Sequence, residues 1–468
     1  MNRRAFRFSR SIRTGLAVGR LLLPALALAL AMSVAAGFRA NAKVFDPNTF
    51  TLDNGMQVVV VGNDRAPIVS HMAWYKVGAA DEPPGKSGIA HFLEHLLFKG
   101  TDTLAPGEAS DIIARNGGRE NAFTSWDYTG YFQNVAKDRL DLVMGLEADR
   151  MVNLRLSEDV VLPELEVILE ERRSRVDNNP GAQLGEAINA ALYMNHPYGI
   201  PIIGWEHEMR GLTMQDALDF YEDHYAPNNA ILLVAGDVTV DEVRALAEKH
   251  YGVIPARDIP DRVRPTEPPQ LADRRVVLER PRVRQPSWRR VWLAPSYTTG
   301  ETQHVYALQV LSEVIGGGAT SDLYRNLVIE STSASSAGAY YGADDLDHST
   351  FTVYASPLPG QNTPDDMATL ESAVEAEIQR ILRDGVAVAE VERAVKRLQS
   401  AAIFARDSLS TGVRVLGAAL TTGQQVADVE AWPERIGSVT AEQVNEAARF
   451  IFQDRASVTG VLLPEPAS

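Results

Sequence analysis

GIAHFLEHLLFKGT, from Gly88 to Thr101, sets two histidines four residues apart in an apolar run. On a helix, positions i and i+4 share one face, so His91 and His95 can direct both imidazoles at one ion. Glu94 follows His91 by three residues and projects to the same side. A carboxylate there suits a base that takes a proton from a metal-activated water and passes it to a leaving amine. The order is H-x-x-E-H, the reverse of the commoner H-E-x-x-H. A helix can also carry two histidines for packing or capping, and two imidazoles alone leave zinc short of a protein ligand. The stretch therefore asks for a third ligand elsewhere.

PELEVILEERRSR (163–175) offers one. Glu164 and Glu171 stand seven residues apart, two helical turns, and so face the same way, whereas Glu166 and Glu170 project elsewhere. An acidic helix face paired with its own arginines is the competing reading. Leu165, Val167, Ile168 and Leu169 show that much of this helix is buried. A carboxylate in such a stretch needs a partner, and a metal already held by two histidines would supply it.

Composition narrows the chemistry. The 468 residues exceed one ordinary core and predict two or more domains. The absence of cysteine excludes disulfides, thiolate metal sites and a cysteine nucleophile, so any metal must rest on His, Asp or Glu. Residues 1–42 are basic, then apolar, and end in Ala40-Asn41-Ala42, which predicts a signal peptide cleaved after Ala42 and delivery to the periplasm. Arg3-Arg4 resembles a twin-arginine pair without deciding the export route. A mitochondrial presequence, which would mean the matrix, needs no such apolar run; an uncleaved anchor is the other alternative. No later segment is apolar enough to span a bilayer. Cleavage removes seven arginines and no acid, moving the formal charge from −16 to −23. So acidic a body is a poor prospect for nucleic acid or an anionic membrane; it suits basic, extended peptides, with a merely solvated acidic surface as the competing reading.

The order of elements recurs along the chain. FTLDNGMQVVVVGND reads as strand, Asn-Gly turn, strand. APIVSHMAWYKVG is a further strand, and the histidine helix is expected to close at Gly100. Helices are predicted over Thr103–Asn116, over DRLDLVMGLEADRMVN and from about Ser157 to Val176, with two strands in NAFTSWDYTGYFQNVA. PNNAILLVAGDV is a strand and TVDEVRALAEKHYG a Thr-capped helix. Ile254 to Ala272 carries five prolines and many charges, which predicts a stiff, solvated linker over 256–272. It divides a domain at 43–255 from one at 273–468. Beyond it, RRVVLERP, SWRRVWLAP and STFTVYASP read as strands, with helices in HVYALQVLSEVIGG and over 364–384 and 387–407. The expected fold class is α+β: two tandem similar domains, each a largely antiparallel sheet with helices packed on one face.

GIAHFLEHLLFKGT, followed 80 residues after its first histidine by the last Glu of EVILEE, resembles the inverzincin peptidases of the pitrilysin, insulysin and mitochondrial processing peptidase (M16-type) family. The similarity spans the whole mature chain and is strongest to bacterial members of this length. The resemblance implies a tandem pair of α+β domains and a zinc peptidase holding one Zn2+ per chain. His91, His95 and Glu171 would be the ligands, Glu94 the general base, and Glu164 an acidic support orienting a histidine. It also implies a substrate strand in GGRENAFTSWDYTGYF, with Asn121 and Ala122 holding the peptide by main-chain pairing. Phe123, Trp126 and Tyr128 are expected to pack the strand, and His196 to fix the HPYGIPIIGW loop. His71, His207, His224, His250, His304 and His348 lack ligand spacing and are expected to be structural.

One departure bears on activity. Related chains usually carry, after an SxLxxxLR stretch, an Arg and a Tyr seven residues apart that polarise the substrate carbonyl. In SDLYRNLVIESTSASSAGAYY those positions hold Val328 and Ser335, and the nearby Arg325 and Tyr340 have the wrong spacing. The expectation is a heterodimer in which a homologous partner without the zinc motif supplies the Arg/Tyr half; a homodimer is the alternative. A non-catalytic assembly or scaffold subunit that keeps the fold is the different-class reading, and a mitochondrial presequence-processing subunit is a third.

Overall fold

The computed structural model describes residues 44–465; the expected leader and its cleavage site lie outside them. Asn48–Thr51 (β1) and Gln57–Gly62 (β2) form the expected antiparallel hairpin. Its turn holds Gly55 at φ +89°, a left-handed conformation that glycine adopts without steric cost. Ile68–Tyr75 (β3), Arg119–Thr124 (β4), Thr129–Ala136 (β5) and Ala230–Gly236 (β6) complete a six-stranded sheet ordered β1-β2-β6-β3-β5-β4. Only β2 and β6 run parallel. β6, sequence AILLVAG, is buried along its length, as a central strand covered on both faces must be.

The helices of this half longer than one turn are Ile89–Leu96 (α1), Glu108–Arg115 (α2), Leu140–Val152 (α3), Glu158–Arg172 (α4), Pro180–Leu192 (α5), Met214–His224 (α6) and Val240–His250 (α7). α2 starts five residues later than its apolar spacing suggests, because Pro106 and the left-handed Gly107 precede it. Thr239 caps α7 through a hydrogen bond from the Glu242 N–H. Phe92, Leu93 and Leu96 of α1 pack with Val58, Val60, Ala73 and Tyr75 in the first core.

The second half repeats the plan. Arg274–Arg280 (β7), Ser287–Ala294 (β8), Ser336–Tyr341 (β9), Ser349–Ser356 (β10) and Ser457–Pro464 (β11) form a sheet ordered β7-β11-β8-β10-β9. β7 and β11 are its parallel pair and the rest are antiparallel. With β1 set aside, the two sheets agree strand for strand in order and polarity, which is what an internal duplication produces. The helices here are Val305–Gly316 (α8), Pro364–Asp384 (α9), Val388–Ala405 (α10), Leu409–Thr421 (α11), Val426–Gly437 (α12) and Ala441–Ile451 (α13).

Each sheet is packed on one face by helices of its own half, as expected. Its other face is covered too, by a helix lent from the opposite half. Val413, Leu416 and Leu420 of α11 pack on Met72, Trp74, Ile231 and Leu233 of the first sheet. Reciprocally, Leu184, Ile188 and Leu192 of α5 pack on Val291, Val458 and Leu462 of the second. The approach of α11 is close enough that a Cβ on Gly417 would run into the Trp74 indole.

The Pro-rich segment 256–272 holds no helix or strand, but it is not solvated along its length. Arg264 pairs with Asp81 at 2.6 Å and with Asp127 at 3.4 Å, Arg262 reaches the same two acids, and all but Arg262 are nearly fully buried. Glu267 accepts hydrogen bonds from the N–H groups of Met194, Asn195 and His196. Proline and charge signal a solvated tether only when the charges have no buried partners; these do. No helix among the described residues is long and apolar enough to cross a membrane.

Candidate metal centre

α1 is short, and its inward face buries His91 and Glu94 to 7% and 8% exposure. α4 packs against it and ends one residue after Glu171, where a π-helical turn, Arg173–Asp177, begins. Arg172 fixes that end by a bidentate pair with Glu186 of α5 and a bond to the Gly204 carbonyl. Glu171 is thereby carried to the two histidines, its Oε2 lying 3.5 Å from His91 Nε2 and 3.3 Å from His95 Nε2. One ligand atom from each of the three falls within 4.8 Å of the others, and no other such group of three occurs among the described residues.

These contacts suit a cation better than a hydrogen bond. Two ligand atoms bound to one tetrahedral zinc at about 2.0–2.1 Å stand roughly 3.3–3.4 Å apart. The two nitrogen–oxygen separations, 3.5 and 3.3 Å, lie close to that. Glu171 Oε2 is buried without a hydrogen-bond partner. His95 donates from Nδ1 to Glu164 Oε1 at 2.8 Å, which turns Nε2 towards Glu171. The donor set, two imidazoles and a carboxylate, is that of a catalytic zinc site.

Electrostatics set the two rings apart. Burial, and then the neighbouring His95, push His91 down to about 4, so it remains a neutral imidazole. Burial opposes charge on His95 as well, but the Glu164 and Glu171 carboxylates outweigh it and raise that ring to about 9, so it would give up a proton on taking a metal. The His95 ring beside it, helped by His91 and Arg175 and opposed by burial, holds Glu171 below the usual carboxylate range. Glu164 is also held low, burial being outweighed by His95 and by Lys99, whose Nζ lies 2.6 Å away. Burial raises Glu94, with the Thr124 hydrogen bond acting against it. Thr124 Oγ1 donates to Glu94 Oε2 at 2.6 Å, which leaves Oε1 for another partner.

The structure brings His91, Glu94, His95, Glu164 and Glu171 together. Asn121 and Ala122 lie beside them on β4, the sheet's edge strand. Asn121 is exposed, and its Oδ1 accepts from the Ala122 N–H at 2.9 Å. Phe123 and Tyr128 pack against Trp74, and Trp126 bonds the Ile200 carbonyl. His196 is buried against Asp347 and His71 lies inside the first core, both remote from the cluster. Sequence reasoning missed Thr124, Lys99 and Arg175. Arg175 stands four residues after Glu171 and pairs with its Oε1 at 2.7 Å, a spacing that could have disclosed it. In the second half, Val328 packs against the core and Ser335 bonds the Pro357 carbonyl. Arg325 is engaged by Asp322 at 2.9 Å.

Comparison with known proteins gives two adjoining family matches: insulinase (peptidase family M16) over residues 57–206, and peptidase M16 inactive domain over 211–398. The zinc protease PqqE of Helicobacter pylori is 32% identical over 454 residues, covering 96% of this chain and 99% of that protein. A solved structure of a protease from Helicobacter pylori overlays with a TM-score of 0.82 at 31% identity, covering 90% of this chain and 99% of the other. A putative M16-like peptidase from Alicyclobacillus acidocaldarius shares the fold at a TM-score of 0.79 and 23% identity, with coverage of 90% and 99%.

Proposed function

Because this chain belongs to the insulinase (M16) family of peptidases, we propose that it is a zinc-dependent endopeptidase hydrolysing peptides or partly unfolded proteins. The observation that carries the reading is the convergence of His91 Nε2, His95 Nε2 and Glu171 Oε2, with the Glu94 carboxylate on the same helix. These three residues would hold one Zn2+. Bound zinc lowers the pKa of water and polarises a carbonyl.

The chain's own groups do the rest. Glu94 takes a proton from the attacking water on Oε1 while Thr124 holds Oε2. As water oxygen bonds to the carbonyl carbon and the C–N bond breaks, Glu94 returns that proton to the leaving amine. Its raised proton affinity brings it towards the range useful for both transfers. Glu164 orients His95, and Lys99 holds Glu164. An extended peptide adds to the β4 edge at Asn121 and Ala122, displacing the bond between Asn121 Oδ1 and the Ala122 N–H.

The zinc half is 43–255 and the companion half 273–468. With Val328 and Ser335 at the positions where an Arg and a Tyr would act, a homologous partner chain without the zinc motif supplies that pair in a heterodimer. Full turnover by the purified chain with zinc and no partner would refute this part. The leader directs the chain to the periplasm, checked by sequencing the N-terminus of the exported protein. The central experiment compares wild type with Glu94→Gln, each with the partner present. Retained zinc with cleavage lost is expected; no bound zinc in wild type, or unchanged cleavage in the variant, refutes the reading.

A further inference from the structure

The face of the second sheet that α5 covers remains open towards β9. There Arg289 of β8 stands directly opposite Tyr354 of β10, and Tyr354 stands opposite Gly338 of β9. Any Cβ on Gly338 would strike the Tyr354 hydroxyl, so glycine is what lets that ring lie across the strand. Tyr340, two residues along β9 and on the same face, has its ring centroid 6.5 Å from that of Tyr354. The three side chains line one cavity of about 290 Å³. The tyrosines are 55% and 40% exposed, so their hydroxyls are open to a ligand.

The guanidinium of Arg289 is the unusual member. It is half-buried, it donates to the Gly181 carbonyl at the start of α5 at 3.0 Å, and no carboxylate among the described residues pairs with it. Its neighbour Arg290, on the opposite face, pairs with Glu371 and Glu375. Arg150, Arg172 and Arg264, all nearly fully buried, likewise have acids. In a chain with 61 acidic and 45 basic residues, a cation withdrawn from water without an anion calls for one from outside. A planar fork flanked by two phenol donors suits a single carboxylate.

The cavity is within reach of the metal centre along the chain. From Glu171 to Gly181, whose carbonyl Arg289 touches, there is one helical turn and a half and then four residues, so the Cα atoms of Glu171 and Gly181 lie at most about 23 Å apart. An extended peptide of about seven residues spans that distance.

We propose that Arg289, Tyr340 and Tyr354 form a carboxylate pocket that holds an acidic group of the peptide substrate several residues from the bond to be cut. This rests on the peptidase reading. The group is either the peptide's C-terminal carboxylate or an acidic side chain, and both present the same chemistry.

The test is fluorescence anisotropy on the full chain carrying Glu94→Gln, which binds without turnover. The probes are a labelled nine-residue peptide as its C-terminal amide, as its free acid, and as the amide with one Gln near the C-terminus replaced by Glu. The free acid or the Glu-bearing amide should bind about tenfold tighter than the plain amide, and whichever does so names the source. Adding Arg289→Gln should bring the forms to near parity. Tyr340→Phe and Tyr354→Phe should each lower the preference about two- to threefold with unchanged thermal unfolding, which separates a lost donor from a displaced α5. Equal affinity for all three forms, including no binding of any, overturns the pocket, as does a preference that survives Arg289→Gln. Failure of the peptidase reading would appear elsewhere, as absent zinc or Glu94-independent cleavage.

Discussion

The two halves share a sheet of the same strand order and polarity, yet they treat the helix after β3 and after β8 in opposite ways. In the first half α1 turns His91, Glu94 and His95 inward and accepts the cost of burying them. In the second, α8 fills the same place in the order with Leu308, Leu311 and Ile315, and its Glu313 is drawn aside by Arg397 at 2.5 Å. The sheet needs a helix there, but it does not need polar groups on it. The packing of the scaffold therefore does not require the His-His-Glu cluster, and the second family match, to an inactive domain over residues 211–398, runs from the end of the first half through most of the half that omits it.

The sharpest way to break this comparison is to alter one acid in each helix. Glu94→Gln should lower peptide turnover by roughly 10²–10⁴-fold with zinc content unchanged, measured by steady-state kinetics and metal analysis. Glu313→Gln in α8 should leave turnover within about twofold, since it touches no reacting group. If both variants lose activity alike, the halves are not divided in role. The segment joining them comes next: Arg264→Ala leaves Asp81 and Asp127 buried with reduced compensation, and should cost about 3–5 kcal/mol in denaturant unfolding.

Acid should expose a third difference. No strand of the second sheet contains histidine, whereas His71 of β3 is buried, donating from Nδ1 to Gln133 Oε1 at 2.6 Å and accepting from the Tyr251 hydroxyl at 3.0 Å. Burial holds it at about 4, below its ordinary 6.5, so folding favours the neutral ring. Its contribution is complete above the unfolded value and is lost as pH falls from 6.5 towards 4, up to about 3 kcal/mol. Unfolding midpoints measured across that window should flatten in His71→Gln. The smallest effect concerns the support under one ligand: Glu164→Gln should weaken zinc affinity by about 10–100-fold, read by competition with a chelating dye.

Local signals were the legible ones. The Asn54-Gly55 turn, the β-branched run after it and the Thr239 cap act over a few residues, and the structure has them where the chain predicts. His91, Glu94, His95 and the seven-residue step from Glu164 to Glu171 were legible for the same reason, since helical period alone aligns them. The crossing of α5 and α11 was not. Both faces of β6 are apolar, which announces a cover without saying where it comes from. The central strand β11 pairs with β7 across almost the whole second half, and nothing within either segment specifies that partner. The linker misled because Arg262 and Arg264 find Asp81 and Asp127 more than 130 residues away. The opposition of Arg289 and Tyr354 likewise exists only once the sheet register is set.

The exchange of α5 and α11 has a further consequence. Each half leaves one face of its own sheet for the other to close, and each closes it with the helix at the same place in its order. That is the arrangement of an isologous dimer, in which two like units present the same patch to one another across a two-fold axis. Here the units are joined, so their association does not depend on concentration. Severed in the linker, the halves should act as separate subunits that reassemble only when mixed.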